Sequence, residues 1–117
     1  MMKKSLFAAA LLLAFVRPAF ALDRCESDFR RGIAEMKQLF LRLTPACQKE
    51  VDLGDSNEDK ILKACSGSEI SIALEMQGIE NSRLTPLCQD AACDRLRASG
   101  VCVKDKPFTW YLKKLGM

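Results

Sequence analysis

Six cysteines, at positions 25, 47, 65, 88, 93 and 102, are the residues of this chain best suited to chemistry. Cysteine can cross-link, bind a metal as thiolate or attack as a nucleophile, and spacing and context choose among these roles. A zinc site wants close pairs such as C-x2-C, whereas the tightest pair here is Cys88-x4-Cys93. The chain has no histidine, which removes Cys-His and Ser-His catalysis and histidine-ligated metals. An even number of cysteines in a short exported chain reads as three disulfides, and a paired cysteine is no nucleophile. Two carboxylate pairs remain, Glu58-Asp59 and Asp90 with Asp94, of the kind that performs acid–base work. Both fall at expected helix starts or exposed faces, where capping and solvation account for them. Arg95 and Arg97 are spaced to compensate the second pair. No Gly-rich phosphate loop occurs, and Asn57-Glu58-Asp59 and Asn81-Ser82-Arg83 both fail as glycosylation triplets. The expectation is a protein without catalytic activity, metal or cofactor.

The compartment follows from the first 21 residues. Lys3-Lys4, an apolar run of 11 residues from Leu6 to Val16, and Ala19-Phe20-Ala21 form the three parts of a cleaved signal peptide. The run is too short to span a bilayer, which takes about 20 residues. Residues 22–117 are then a single secreted domain of 96 residues, or a periplasmic one in a bacterium. Removing Lys3, Lys4 and Arg17 from 18 basic residues leaves 15, which equals the 15 acidic residues. A formally neutral domain argues against nucleic acid as a partner, since phosphate binding needs positive charge.

The elements that must position the cysteines read as helices throughout. Phe29, Ile33, Met36, Phe40 and Leu43 step by four, three, four and three, one apolar stripe on a helix from Ser27 to Leu43. Asp23 and Glu26 could form a capping box upstream of it. Thr44-Pro45 starts a second helix that stops at Gly54. Asp55 or Ser56 caps a third, through Ile61 and Leu62 to Cys65, ended by Gly67. Ser68 caps a fourth carrying Ile70, Ile72, Leu74 and Met76, with Gly78 near its end. Glu80 to Arg83 reads as a loop, and Pro86 to Ser99 as a helix closed by Gly100. Val101-Cys102-Val103 is a connector, and Pro107 starts a last helix holding Phe108, Tyr111, Leu112 and Leu115. No strand-like alternation with hairpin turns occurs. The fold class is all-α, a disulfide-stapled domain of five to six short helices. On one helix Cys88 and Cys93 would lie ~7.5 Å apart along the axis, beyond disulfide reach, so each must bond elsewhere. The six cysteines otherwise leave 15 connectivities open.

Arg42-Leu43-Thr44-Pro45-Ala46-Cys47-Gln48 recurs as Arg83-Leu84-Thr85-Pro86-Leu87-Cys88-Gln89. Each copy follows a cysteine at similar distance, and each interval holds a Glu-Met pair, Glu35-Met36 and Glu75-Met76. This suggests a duplication of residues 25–48 as 65–89, with Thr44 and Thr85 capping equivalent helices.

Cys88-Gln89-Asp90-Ala91-Ala92-Cys93-Asp94, followed by Leu96 and Cys102, together with Cys25-x21-Cys47, resembles the elicitins. That family comprises small secreted all-helical proteins with three disulfides that carry sterols and lipids. The chain lacks the family's last cysteine and has Cys65 in addition. The resemblance implies Cys25–Cys102 and Cys47–Cys93, which leaves Cys65 with Cys88.

Two binding functions compete. In the first, a secreted, monomeric interaction protein of effector, inhibitor or recognition type holds its contact surface rigid through disulfides. Its candidate contacts are Lys104, Lys106, Trp110, Lys113 and Lys114, a basic–aromatic segment facing an acidic protein partner or, as the lesser alternative, a membrane surface. The second is an elicitin-like carrier of a sterol or other apolar small molecule. Its candidate lining is Phe29, Ile33, Met36, Phe40, Ile72, Met76, Phe108 and Tyr111, where flexible methionines beside aromatics suit an adaptable cavity.

Overall fold

The stripe read from the sequence is the spine of the molecule. In the computed structural model, which describes residues 24–53 and 58–117, a helix α1 runs over 24–40. Phe29, Ile33, Met36, Phe40 and Leu43 are all buried along it or just past its end. The expected signal, Asp23 of the capping box, and the boundaries at Gly54, Asp55 and Ser56 lie outside the described residues. Helix α1 ends three residues before Leu43, in a turn closed by Arg42 N–H to the Leu39 carbonyl and Leu43 N–H to the Phe40 carbonyl.

Helices α2 (Pro45–Leu53) and α3 (Glu58–Ala64) follow, then α4 (Gly67–Ile79). Helix α4 begins earlier than Ser68 suggests. Ser66 is the cap: its hydroxyl accepts from the Glu69 N–H while the Glu69 carboxylate accepts from the Ser66 N–H, a complete capping box. Gly67, expected to end α3, is the first residue of α4. Its buried face is Glu69, Ile72 and Met76, spaced by three and four. Leu74 is 61 % exposed, because the alternation Ile70, Ile72, Leu74, Met76 is not a helical period.

The expected loop over Glu80 to Arg83 is instead a π-helical turn, Glu80–Leu84, that carries α4 directly into α5 (Thr85–Gln89). Pro86 explains it. A proline inside a helix has no N–H to give, and its ring crowds the carbonyl four residues back. Widening the turn accommodates the ring without ending the helix. The Thr85 N–H accordingly bonds five residues back, to the Glu80 carbonyl. Thr85 is helical, so it caps nothing, whereas Thr44 is a true N-cap whose carbonyl accepts from the Gln48 N–H. The two Thr-Pro segments therefore do not start equivalent helices.

The helix expected from Pro86 to Ser99 is broken at Asp90, which is extended (ψ 125°). Its side chain accepts from the Ala92 N–H at 2.9 Å, the local bond by which Asp competes with helix continuation. A 3-10 turn (Ala91–Cys93) and a short helix α6 (Asp94–Ala98) follow. Arg97 clamps the break by donating to the Cys88 and Asp90 carbonyls and pairing with the Asp94 carboxylate. Gly100 closes α6 with φ +86°, a conformation glycine adopts without cost. Residues 101–103 form the connector, and α7 spans Phe108–Leu115.

All six cysteines are paired, but as Cys25–Cys93, Cys47–Cys65 and Cys88–Cys102. None of the three pairs implied by the elicitin resemblance is present. Cys65 stands before α4 and Cys88 beyond its far end. The 13 residues of α4 separate them by ~20 Å, against the 4.4–6.8 Å between Cα atoms that a disulfide allows. Cys65 meets Cys47 instead, at a Cα separation of 4.7 Å, closing α2 against α3. Cys93 is carried back to the start of α1 and meets Cys25, where Arg95 also pairs with Glu26. The chain is an all-α domain held by three disulfides, which is as far as its structure agrees with the elicitin resemblance.

Helices α4 and α7 both run antiparallel to α1. Thr44, after the end of α1, bonds Glu69 at the start of α4. Gly32, near the beginning of α1, lies under Ile79 and Leu84; a Cβ there would come within 2.5 Å of the Leu84 Cδ2. On the other side Phe40 meets Phe108 with ring centroids 5.3 Å apart. Arg30 and Lys37 donate to the Leu115 and Met117 carbonyls at 2.9 and 2.7 Å.

Candidate functional site

The carboxylates singled out for acid–base chemistry are occupied locally or exposed. Asp90 caps Ala92, Asp94 pairs with Arg97 as its spacing suggested, and Glu58 and Asp59 lie exposed in the first turn of α3. The acid with the most structured surroundings is one the sequence reading passed over, Glu69. One carboxylate oxygen accepts from the Thr44 N–H and hydroxyl at 2.7 and 2.9 Å, and the other from the Ser66 N–H at 2.9 Å. Backbone N–H groups of Ser66 and Thr44 hold its pKa down to about 2, since they favour the charged form. Glu69 thus completes the N-termini of α2 and α4 together, beside the Cys47–Cys65 bridge. With its acceptors engaged it is a joint between elements. Among the described residues no group of three or more His, Cys, Asp or Glu side chains could hold a metal.

Seven of the eight residues expected to line a ligand cavity lie inside one packed cluster. Phe29, Ile33, Met36, Phe40, Ile72, Met76 and Phe108 are all buried, together with Leu84, Leu96, Val101 and the half-cystines 47, 65 and 93. Tyr111 is half-buried at the edge of the cluster and donates its hydroxyl to the Val103 carbonyl. Burial pushes the Tyr111 phenol upward first, and the negative charges of Glu80 and Asp105 add to that. Two depressions mark the surface nearby. An open groove of about 540 Å³ between α1 and α4 is bordered by Arg31, Ala34, Glu35, Gln38, Leu39, Glu75 and Ile79. A smaller one of about 130 Å³, near the Cys25 end of α1, touches only Phe29 of the eight.

Of the five expected surface contacts, Lys106 and Trp110 meet, whereas Lys114 lies against Gly100 and borders the smaller depression. Lys104, Lys106, Lys113 and Lys114 are exposed and Trp110 is half-buried. The Lys106 ammonium stands 5.6 Å from the centre of the Trp110 ring, within cation–π range. Trp110 and Tyr111 meet edge to face at 5.0 Å. Asp105 turns the chain between the first two lysines with φ +64°, a left-handed conformation that Asp tolerates better than most residues.

This face is firmly held. Cys102, just before it, is bonded to Cys88. Pro107 caps α7 without a side-chain bond, and the Thr109 N–H is satisfied instead by Asp52 of α2 at 2.9 Å. The Thr109 hydroxyl donates to the other Asp52 oxygen at 2.7 Å. At the far end Gly116, at φ +69°, and Met117 send N–H groups back to Lys113 and Leu112, which satisfies the last carbonyls in a Schellman closure. The Asp52–Thr109 bond spans 57 positions, and no local signal announces it. No family model, curated protein or solved structure matches this chain.

Proposed function

We propose that this is an exported, non-catalytic interaction protein that presents Lys104, Lys106, Trp110, Lys113 and Lys114 to an acidic surface of a partner protein. The observation that carries this reading is the pairing of charge with anchoring. Over residues 104–117 four lysines stand against one acid, and Lys106 lies over a half-buried tryptophan on a helix tied to α2 at its start and to α1 at its end. Such a face loses little conformational entropy on binding, and Trp is among the residue types that dominate interface energies. Export rests on the signal-like residues 1–21 and on three disulfides, which persist in oxidising compartments.

The test is a biosensor comparison on immobilised poly-glutamate, with mixed phosphatidylcholine–phosphatidylserine vesicles as the second surface. Wild type should bind the polypeptide with an affinity that falls as salt rises, and the Lys106→Glu/Lys113→Glu variant should lose it. Equal binding by the two proteins, or wild-type binding to vesicles alone, rejects the reading.

The lipid-carrier alternative draws less support. Seven of its eight lining residues are packed in the core cluster, so a sterol would have to part them, and the disulfide pairing that the resemblance implied is absent.

A further inference from the structure

The three bridges differ in what a thiol can reach. Cys47 and Cys65 are both buried, and Cys25 is half-buried but bonded to Cys93, which is 1 % exposed. In Cys88–Cys102 both half-cystines are half-buried. Thiol–disulfide exchange makes demands on both sides of the bond, because the incoming thiolate attacks one sulfur and the other leaves as a thiolate. Attack on Cys25 would release the charge of Cys93 into the core, which is costly. At Cys88–Cys102 either sulfur can be attacked, and the other leaves at a partly solvated position.

This bridge is also the one the domain needs least and the connector needs most. It closes 14 positions, the shortest of the three loops, so opening it returns the least freedom to the denatured chain. Without it, Cys25–Cys93 still ties α1 to the 3-10 turn, Arg97 still clamps the break at Asp90, and Asp52, Arg30 and Lys37 still hold α7. The segment between α6 and α7 has no such reserve. Among the described residues, no backbone N–H of residues 101–106 bonds a backbone carbonyl, and residues 103–107 are exposed. The segment is fixed by buried Val101, by the Tyr111 hydroxyl on the Val103 carbonyl, by Lys106 over Trp110, and by the Cys102 bridge. Cys102 stands two residues before Lys104 and four before Lys106.

We infer that Cys88–Cys102 is a thiol-exchange site, opened by a dithiol reductant while the domain stays folded, and that its opening frees the segment carrying Lys104 and Lys106. One thiolate of the dithiol attacks a half-cystine sulfur, which breaks the bridge, forms a mixed disulfide and releases the other half-cystine as thiolate. The second thiol of the reductant then attacks the reductant's own sulfur in the mixed disulfide and closes the reductant's disulfide. The dithiol is oxidised by two electrons, the bridge is reduced, and the protons of the two reductant thiols end on Cys88 and Cys102. The consequence for binding rests on the acidic-surface reading above: a basic segment free to move must be ordered again on a partner, which weakens the contact.

Dithiothreitol under native conditions, followed by alkylation and peptide mass mapping, tests the site on the oxidised protein. Cys88 and Cys102 should be labelled together, at least about tenfold faster than the other four cysteines. In the product with two labels, 15N relaxation should give order parameters below ~0.6 at residues 103–106, against ~0.85 before reduction, with α1 and α7 unchanged. The Cys88→Ser/Cys102→Ser variant should show the same mobile segment without reductant. Labelling that starts at another pair, all six cysteines labelled together, or a segment that stays ordered in the two-label product would each overturn the inference. On immobilised poly-glutamate the two-label product should bind about three- to tenfold more weakly than the oxidised protein, and equal binding would overturn the link to the lysines. An oxidised protein that ignores poly-glutamate rejects the acidic-surface reading alone, and labelling and relaxation still decide the exchange site.

Discussion

Removing the disulfides one at a time should destabilise the domain in an order set by loop length. Cys25–Cys93 spans 68 positions, Cys47–Cys65 spans 18 and Cys88–Cys102 spans 14. In the chain-entropy account the denatured chain regains about 4.4, 3.2 and 3.0 kcal/mol of freedom at 25 °C when each is cut alone. The bridges are not independent, because Cys47–Cys65 lies inside the longest loop and short-circuits part of it. That leaves an effective loop of about 50 residues and lowers the first figure to about 4.1 kcal/mol. Packing sets the last bridge apart from the other two, while between those two it favours Cys47–Cys65, whose half-cystines are both buried where Cys25 is half-buried, so loop entropy decides their order. Cys93 and Cys47 are 1 % and 0 % exposed, so truncating either leaves a buried gap, whereas Cys88 and Cys102 are half-buried.

The predicted order of loss is therefore Cys25–Cys93, then Cys47–Cys65, then Cys88–Cys102, with about 1 kcal/mol between first and last from entropy alone. For a domain of this size that corresponds to roughly 4–8 °C in melting temperature. Three double-alanine variants, melted thermally and in urea at one pH, measure it. A Cys88–Cys102 variant as unstable as the Cys25–Cys93 variant would refute the reasoning, and would mean that clamping the break at Asp90 matters more than denatured-state entropy.

Glu69→Gln should lower the melting temperature at neutral pH and flatten its acid dependence. The Glu69 pKa is depressed, so its stabilisation is complete above the ordinary value of 4.5 and is lost as pH falls through about 2; a variant whose melting profile keeps the wild-type slope between those values would count against the joint. Ile33→Ala, at 1 % exposure, should cost about 2–5 kcal/mol, while Leu62→Ala, at 62 % exposure, should change stability by less than ~0.5 kcal/mol; urea midpoints separate the two. Asp52→Ala removes the acceptor that caps α7 from another helix, and should cost about 1 kcal/mol, with faster amide exchange confined to the first turn of α7. Unchanged exchange there would show that Phe108 and the Schellman closure suffice.

Where the sequence could be read, one local signal acted without a competitor. The step of four, three, four and three from Phe29 to Leu43 had a single interpretation, and so did Gly100 and the apolar positions of α7. Errors arose where two local signals competed. Ser66 and Ser68 can both cap a helix; what decides is Glu69 three residues after Ser66, an S-x-x-E signal that was visible but passed over. Thr85-Pro86 repeats Thr44-Pro45 letter for letter, yet a helix already runs through Glu80, and a proline met by an existing helix widens it where a proline met by a turn starts one. At Asp90 the side chain could solvate a helix or cap a turn, and Arg97 settles the choice from seven residues on. The disulfides failed for another reason. Pairing is a property of which ends the helices bring together, and cysteine spacing does not encode that α4 runs antiparallel to α1. The same holds for the candidate surfaces. The lysines and Trp110 are contiguous enough to be found in the sequence, but the bond that anchors the start of α7 comes from Asp52, and the close approach of Leu84 to α1 depends on Gly32. Composition therefore located the lysines and the tryptophan, while long-range contacts decided how the helix that carries Trp110 is held.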